Sequence, residues 1–162
     1  MADHEHEDLR AKITTWLLGE GWQIAEKPHG DALWLLETSD SQGRHVAVGQ
    51  RRGKPEQILL EAAVALSDLH QRRFAELPPG PRQELLWELR FALLALGVDF
   101  HGVQEPLQRV VLGHKVYEDG LTRDLFCQRL GLVRNAILTV LWTVARRLDA
   151  GSGTDPGEIG VN

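Results

Sequence analysis

The chain has 162 residues, of which 43% are hydrophobic and 25% charged, and these values are typical of one globular domain and exclude a mainly disordered or fibrous protein. Acidic residues outnumber Lys and Arg by 23 to 18, and the resulting net charge of −5 argues against a nucleic-acid partner. The single cysteine, Cys127, excludes an internal disulfide and fits a reducing cytoplasm.

Neither export nor membrane insertion is expected from the apolar segments. The residues up to Asp8 are acidic, whereas an export signal begins with basic residues followed by an apolar run. The longest strongly apolar run, Phe91 to Leu96, is far shorter than the roughly 20 residues that cross a bilayer. We therefore expect a cytoplasmic protein with no membrane partner.

The first third of the chain predicts one helix followed by three strands. Apolar residues recur at helical spacing from Glu5 to Gly19. Three short segments, 22–27, 32–38 and 45–50, are separated by sequences rich in turn-forming residues. They predict an antiparallel three-stranded meander.

Two helices are predicted next. Pro55 suits the first turn of a helix, and apolar residues continue at helical spacing to Phe74. A proline-rich turn that begins at Pro78 ends this second helix. A third helix is predicted from Arg82 to Leu96, with leucines on one side and Gly97 as its stop signal.

Two strands and a long helix complete the predicted fold. The segments 98–103 and 109–117 have strand patterns, and Thr122 is suited to cap a helix whose apolar residues extend to Leu148. The sequence therefore predicts an α+β domain over residues 1–149, with a two-layer, five-stranded antiparallel sheet in the order α-βββ-αα-ββ-α. The Gly-rich residues 150–162 predict a flexible tail.

This order of elements, together with the segments Trp22 to Gln50 and Gly120 to Phe126, resembles the type III secretion chaperone-like superfamily and its YbjN-type relatives of unknown function. The resemblance spans about residues 5–149. It implies a small, acidic, cytoplasmic, homodimeric protein without enzymatic activity. The secretion chaperones of this superfamily hold client segments in extended form. The helix Arg82 to Leu96 is a departure from that pattern, so the usual dimer geometry and client groove are not carried over to this chain.

A basic cluster provides the strongest local candidate for a binding site. Arg51, Arg52 and Lys54 precede the helix predicted to start at Pro55, and a helix start attracts anions through free backbone N–H groups and its dipole. The site would hold a phosphate or a partner carboxylate. The alternative is a solvated basic turn after an edge strand.

The alternative function is an enzyme. His101, His114 and Asp99 lie on neighbouring predicted strands and could form a metal-dependent or acid-base cluster. Cys127 would serve as a nucleophile of a small hydrolase-like enzyme only if one of these histidines approached it. Its place beside Phe126 favours a small core residue instead.

A third group of ligand-type side chains lies at the N-terminus. His4, Glu5 and His6, with the acidic residues around them, offer groups that could bind zinc or nickel. The spacing favours a solvated acidic segment, so no metal or other cofactor is expected.

The remaining candidates are apolar. The chain has five tryptophans, most of which should lie in the core, and Trp34 is a candidate to line a binding surface. The segments Ala32 to Leu36 and Val110 to Leu112 are apolar at consecutive positions and hence on both faces of a sheet. We therefore expect a homodimer, or a protein partner over the sheet. With no catalytic motif in the chain, the prediction is a non-catalytic binding or interaction module, for which the resemblance implies a chaperone-like function.

Overall fold

The computed structural model describes residues 2–28 and 30–150, with side chains from residue 5 onward. The tail predicted over residues 150–162 lies almost entirely outside the described residues. Four α-helices are present in the described part: α1 (Ala2–Gly19), α2 (Asp68–Glu76), α3 (Pro79–Leu96) and α4 (Arg123–Asp149). Six strands are present there: β1 (Gln23–Glu26), β2 (Ala32–Ser39), β3 (His45–Arg51), β4 (Lys54–Ala65), β5 (Asp99–His101) and β6 (Arg109–Tyr117).

All strand pairings in the single sheet are antiparallel, and the spatial order is β1-β2-β3-β4-β6-β5. The edge strands β1 and β5 have four and three residues. Short edges of this kind offer little backbone for another strand to pair with.

The α+β class is as predicted, but the five-stranded sheet is wrong. The sequence predicts a helix that starts at Pro55, but the segment Lys54–Ala65 is strand β4, which pairs with both β3 and β6. Its apolar residues also repeat with period two, so that Ile58 and Leu60 are both buried. Strands β3 and β6 supply hydrogen-bond partners for the backbone of β4 along both of its edges, and this stabilises the strand over a helix. The second helix begins only at Asp68, where the Ser67 side chain caps it.

The helices pack on one side of the sheet and close the core. Helix α4 contacts β3, β4 and β6, whereas α1 contacts β1 and β2, and α3 packs against α4. On the strands, alternate side chains enter this core, and they include Trp34, Leu36, Val46, Val48, Ile58, Leu60, Val110 and Leu112.

The other predicted helices are confirmed. Helix α3 ends at Gly97 in the left-handed conformation with φ 72°, and the Thr122 side chain accepts a hydrogen bond from the N–H of Leu125 at the start of α4. In the described part of the chain, none of the helices has the length and apolarity needed to cross a bilayer.

Candidate functional site

The side of the sheet away from the helices, here called the open face, carries a large depression. Its volume is about 740 Å³, and it is referred to below as the groove. The floor consists of Leu35 on β2, Ala47 and Gly49 on β3, and Leu59 on β4. Since β2, β3 and β4 are neighbours, these residues lie side by side: Leu35 pairs with Gly49, and Gly49 pairs with Leu59.

Gly49 sets the shape of the floor. A Cβ atom at this position would lie 2.9 Å from the carbonyl oxygen of Trp34 and 3.1 Å from Cδ1 of Leu35. Both distances are shorter than ordinary contacts, so the Leu35 side chain can lie across β3 only because residue 49 has no side chain. The apolar floor therefore depends on a glycine in the strand.

The basic cluster lies at one end of the groove. Arg51, Arg52 and Lys54 line it, together with Gly53 and Asp31. Arg51 pairs with Lys54 in the β3–β4 hairpin, so the expected helix start is absent and no helix dipole contributes here. Among the described residues, these three basic side chains form no ion pair or side-chain hydrogen bond, and their charges are free to meet a ligand.

Trp34 does not line the groove. Its side chain is on the covered face and only 3% exposed, and its Nε1 donates a hydrogen bond of 2.8 Å to Oε1 of Gln50. The ring is therefore a core residue, and the prediction that it contributes to a binding surface is not supported by its position.

A smaller depression of about 220 Å³ adjoins the groove across β4 and β6. Arg51, Leu59 and Glu61 line both depressions. Asp99, His101, His114 and Lys115 are among the other residues that line the smaller one. The fold thus brings Asp99 and His101 to the same side of the sheet as the basic hairpin. The side chain of His114 lies on the helix side instead, since His114 pairs with the buried Leu60 and its Nε2 lies 3.1 Å from Arg129 on α4.

The pKa of His114 lies below its ordinary value. Burial lowers the pKa of the imidazole, the positive charge of Arg129 lowers it further, and the Asp99 carboxylate opposes them. Nδ1 lies 3.0 Å from the backbone N–H of Lys115, and Nε2 lies 3.1 Å from the Arg129 guanidinium. Both neighbours are hydrogen-bond donors. A neutral imidazole ring has one nitrogen that can accept from them, whereas a protonated ring has none, so these contacts favour the neutral ring.

Cys127 has a different environment from the histidines. The acidic and basic groups that act on its pKa are Glu20, Arg123 and Asp124, and the dominant effect is burial, which raises the pKa of the thiol. A raised pKa disfavours the thiolate needed for nucleophilic attack. Neither His101 nor His114 is among the groups that act on the pKa of Cys127, so the predicted pairing of this thiol with a histidine is not seen.

In the described part of the chain, no group of three or more His, Cys, Asp or Glu residues is placed so that it could hold a metal ion. The side chains of Asp3 and His4, which belong to the predicted N-terminal group, lie outside the described residues.

Sequence reasoning placed Leu35 in a segment that is apolar on both faces of the sheet, but it missed Leu59 on the floor of the groove and the acidic Glu61 beside it. Leu35, Leu59 and Glu61 become neighbours only through strand pairing, and Leu59 and Glu61 belong to the segment that was predicted as a helix. The period-two burial of β4 was the available signal.

A family model described as "Uncharacterized conserved protein (DUF2299)" matches residues 9–144. No curated protein matches the chain. Among solved structures, an uncharacterised protein from Methanothermobacter thermautotrophicus is similar, with a TM-score of 0.80 and 27% identity over 86% of this chain and 98% of that chain.

A second solved structure, that of YbjN, a putative transcription regulator from E. coli, has a TM-score of 0.42 and 14% identity over 84% of this chain and 88% of that chain. A likeness at this level carries no argument about function. The resemblance to the secretion chaperone-like superfamily accordingly stays a prediction.

Proposed function

This chain belongs to the DUF2299 family of uncharacterised conserved proteins, and from its open face we propose that it is a non-catalytic binding module. The ligand is an acidic segment of a protein partner, in which an apolar side chain is flanked by carboxylates. The observation that carries the proposal is the groove, with an apolar floor and, at one end, three basic side chains that form no ion pair with any residue the structure describes.

The shape of the groove supports an extended ligand. The groove, with a volume of about 740 Å³, follows the surface of three adjacent strands, along which an extended segment can lie. An apolar side chain of the ligand would lie on Leu35 and Leu59, where water covers the sheet in the free protein.

The charge distribution supports an acidic ligand. The protein as a whole carries a net charge of −5, so Arg51, Arg52 and Lys54 form a local basic area on an acidic surface. Charge-assisted hydrogen bonds from arginine to a carboxylate are among the stronger polar contacts, and two arginines can each bind in bidentate fashion. Glu61 beyond the floor would repel carboxylates there and fix the direction of the segment.

The positions of the neighbouring groups support binding without catalysis. His114 lies against Arg129 on the helix side of the sheet, whereas Asp99 and His101 lie on the open face. Burial raises the pKa of the Cys127 thiol and disfavours the thiolate that nucleophilic attack needs. We retain the cytoplasm as the expected location, because the single cysteine makes the fold independent of oxidation.

A peptide-display library selected against the purified protein tests the proposal. We expect enriched peptides to combine Asp or Glu with a leucine or an aromatic residue. The double variant Arg51→Glu/Lys54→Glu should lose this enrichment, and a selected peptide should bind it about tenfold more weakly or worse by calorimetry.

The matched control is Arg72→Glu/Arg134→Glu, which changes the net charge equally on helices α2 and α4. It should select the same peptides as the wild type. Enrichment of basic peptides, no enrichment at all, or an unchanged selection by Arg51→Glu/Lys54→Glu would each overturn the proposal.

A further inference from the structure

Helix α3 has a second apolar side that faces away from the core. Its inner side is buried through Leu85, Leu86, Leu89 and Leu93. On the outer side Trp87 is 51% exposed, Phe91 64% and Leu94 66%. These three residues follow one another at i, i+4 and i+7, so they form one continuous strip along the helix, which we call the outer stripe.

The outer stripe is preorganised. The rings of Trp87 and Phe91 are stacked with their centroids 5.7 Å apart. The Arg90 guanidinium lies 4.8 Å from the Trp87 ring centroid, and it also donates two hydrogen bonds to the carbonyl oxygen of Val103. These contacts hold the Trp87 ring in place, which reduces the entropy that a binding partner would have to remove.

A neighbouring helix adds apolar area beside the stripe. Trp142 on α4 is 68% exposed. It lies one helical turn before Arg146, and the Arg146 guanidinium binds the carboxylate of Glu88, the residue that follows Trp87. Arg147 binds the same carboxylate at 2.6 Å. The acidic group at the flank of the stripe is therefore neutralised within the protein and would not repel an identical surface.

We infer that the outer stripe is the contact surface of a homodimer, in which helix α3 packs against α3 of a second copy of this chain. The inference is independent of the proposed peptide groove, because the stripe lies on the helices and the groove on the opposite side of the sheet.

The area favours a second copy. From the exposed fractions, the stripe presents roughly 400 Å² of apolar surface, and Trp142 raises this to roughly 550 Å². A standard interface buries about 800 Å² per partner, of which about 65% is apolar in homodimers. The surface available therefore matches what one partner of a stable dimer must supply.

The geometry favours a second copy as well. An 18-residue helix with apolar residues at i, i+4 and i+7 offers ridges that fit the grooves of an equivalent helix. A two-fold axis across α3 would cover the same three side chains on both copies with one contact.

Sedimentation velocity on the full chain tests the inference with a matched pair of variants. Leu94→Glu places a charge in the stripe, whereas Leu18→Glu changes the same residue type at similar exposure, 59%, on α1. We expect wild type and Leu18→Glu to sediment at twice 18.1 kDa and Leu94→Glu at the monomer mass.

Hydroxyl-radical footprinting of the wild type gives a second readout that needs no variant. Trp87 and Phe91 should be modified less than their exposure in a single chain implies, while Leu18 should be modified as an exposed residue. A monomeric wild type, a Leu94→Glu variant that remains dimeric, or full modification of Trp87 and Phe91 would overturn the inference. If Arg51→Glu/Lys54→Glu loses peptide binding and stays dimeric, the groove and the dimer surface are separate.

Discussion

The indole N–H of Trp34 on β2 donates a hydrogen bond of 2.8 Å to Oε1 of Gln50 on β3, and both side chains are buried. The amide of Gln50 also donates to the carbonyl oxygen of Pro55 on β4. One buried glutamine thus joins three adjacent strands immediately beneath the basic hairpin. A buried polar side chain is tolerated here because both of its functional groups have partners.

Replacing this glutamine with leucine should destabilise the protein. Gln50→Leu keeps the volume nearly unchanged but leaves the Trp34 N–H buried without an acceptor, at a cost of about 1–3 kcal/mol in the free energy of unfolding. Urea denaturation measures the loss. Trp34→Phe in the Gln50→Leu background should cost less than in the wild type, because it removes the unpaired donor; strictly additive effects of the two substitutions would contradict the coupling.

Helix α3 offers a direct test of its two sides. Leu89 is fully buried and Leu94 is 66% exposed. Leu89→Ala should therefore lower the free energy of unfolding by about 2–5 kcal/mol, because it leaves a cavity in the core. Leu94→Ala should change it by less than about 0.5 kcal/mol when unfolding is measured at concentrations where the chain is monomeric, since no cavity forms within the fold. Equal losses in thermal or urea denaturation would show that the orientation of α3 is wrong.

Local signals in the sequence predicted most of the elements correctly. Thr122 caps the start of α4 and Gly97 ends α3, as their residue types predict. The segment 109–117, which is rich in β-branched residues, has the same bounds as β6. The segment 54–65 failed because its apolar residues fit both a helix with period 3.6 and a strand with period two. Pairing with β3 and β6, which is not encoded locally, decides in favour of the strand.

The candidate site was predictable only in part. The basic residues Arg51, Arg52 and Lys54 were visible as a cluster, although their setting is a hairpin and not a helix start. The floor that adjoins them, with Leu35 beside Gly49 and Leu59, depends on the register of three strands. Sequence patterns predict which residues alternate, but they do not fix which residues lie opposite each other.

His114 should make stability depend on pH. Its pKa in the folded protein lies below the ordinary value of 6.5, because of burial and the charge of Arg129. Between the two pKa values the unfolded chain therefore binds a proton at His114 more readily than the folded protein does. The contribution of His114 to the free energy of unfolding is complete above pH 6.5 and is lost as the pH falls from 6.5 toward the pKa in the folded protein.

Urea denaturation at about pH 7.5 and about pH 5.5 measures this loss, and His114→Gln should show a smaller difference between the two conditions than the wild type. Arg129→Gln should shift the pKa of His114 upward in an NMR titration, since it removes one of the charges that lower it. A His114 pKa at or above 6.5 in the wild type would contradict the expected direction.

Gly49 provides the last test, since it forms the floor of the groove. Gly49→Ala adds a methyl group 2.9 Å from the carbonyl oxygen of Trp34 and 3.1 Å from Leu35 Cδ1. The leucine can move, but the backbone oxygen belongs to the paired strand β2, so the β2–β3 pairing must distort. We expect a loss of about 1–3 kcal/mol in the free energy of unfolding.

Gly53→Ala in the adjacent hairpin is the matched control, because nothing lies within 4 Å of its added methyl group and its φ is not in the left-handed region. That variant should unfold within about 0.5 kcal/mol of the wild type. If both variants unfold at the same urea concentration as the wild type, the close approach of β2 and β3 at Gly49 is not present in solution.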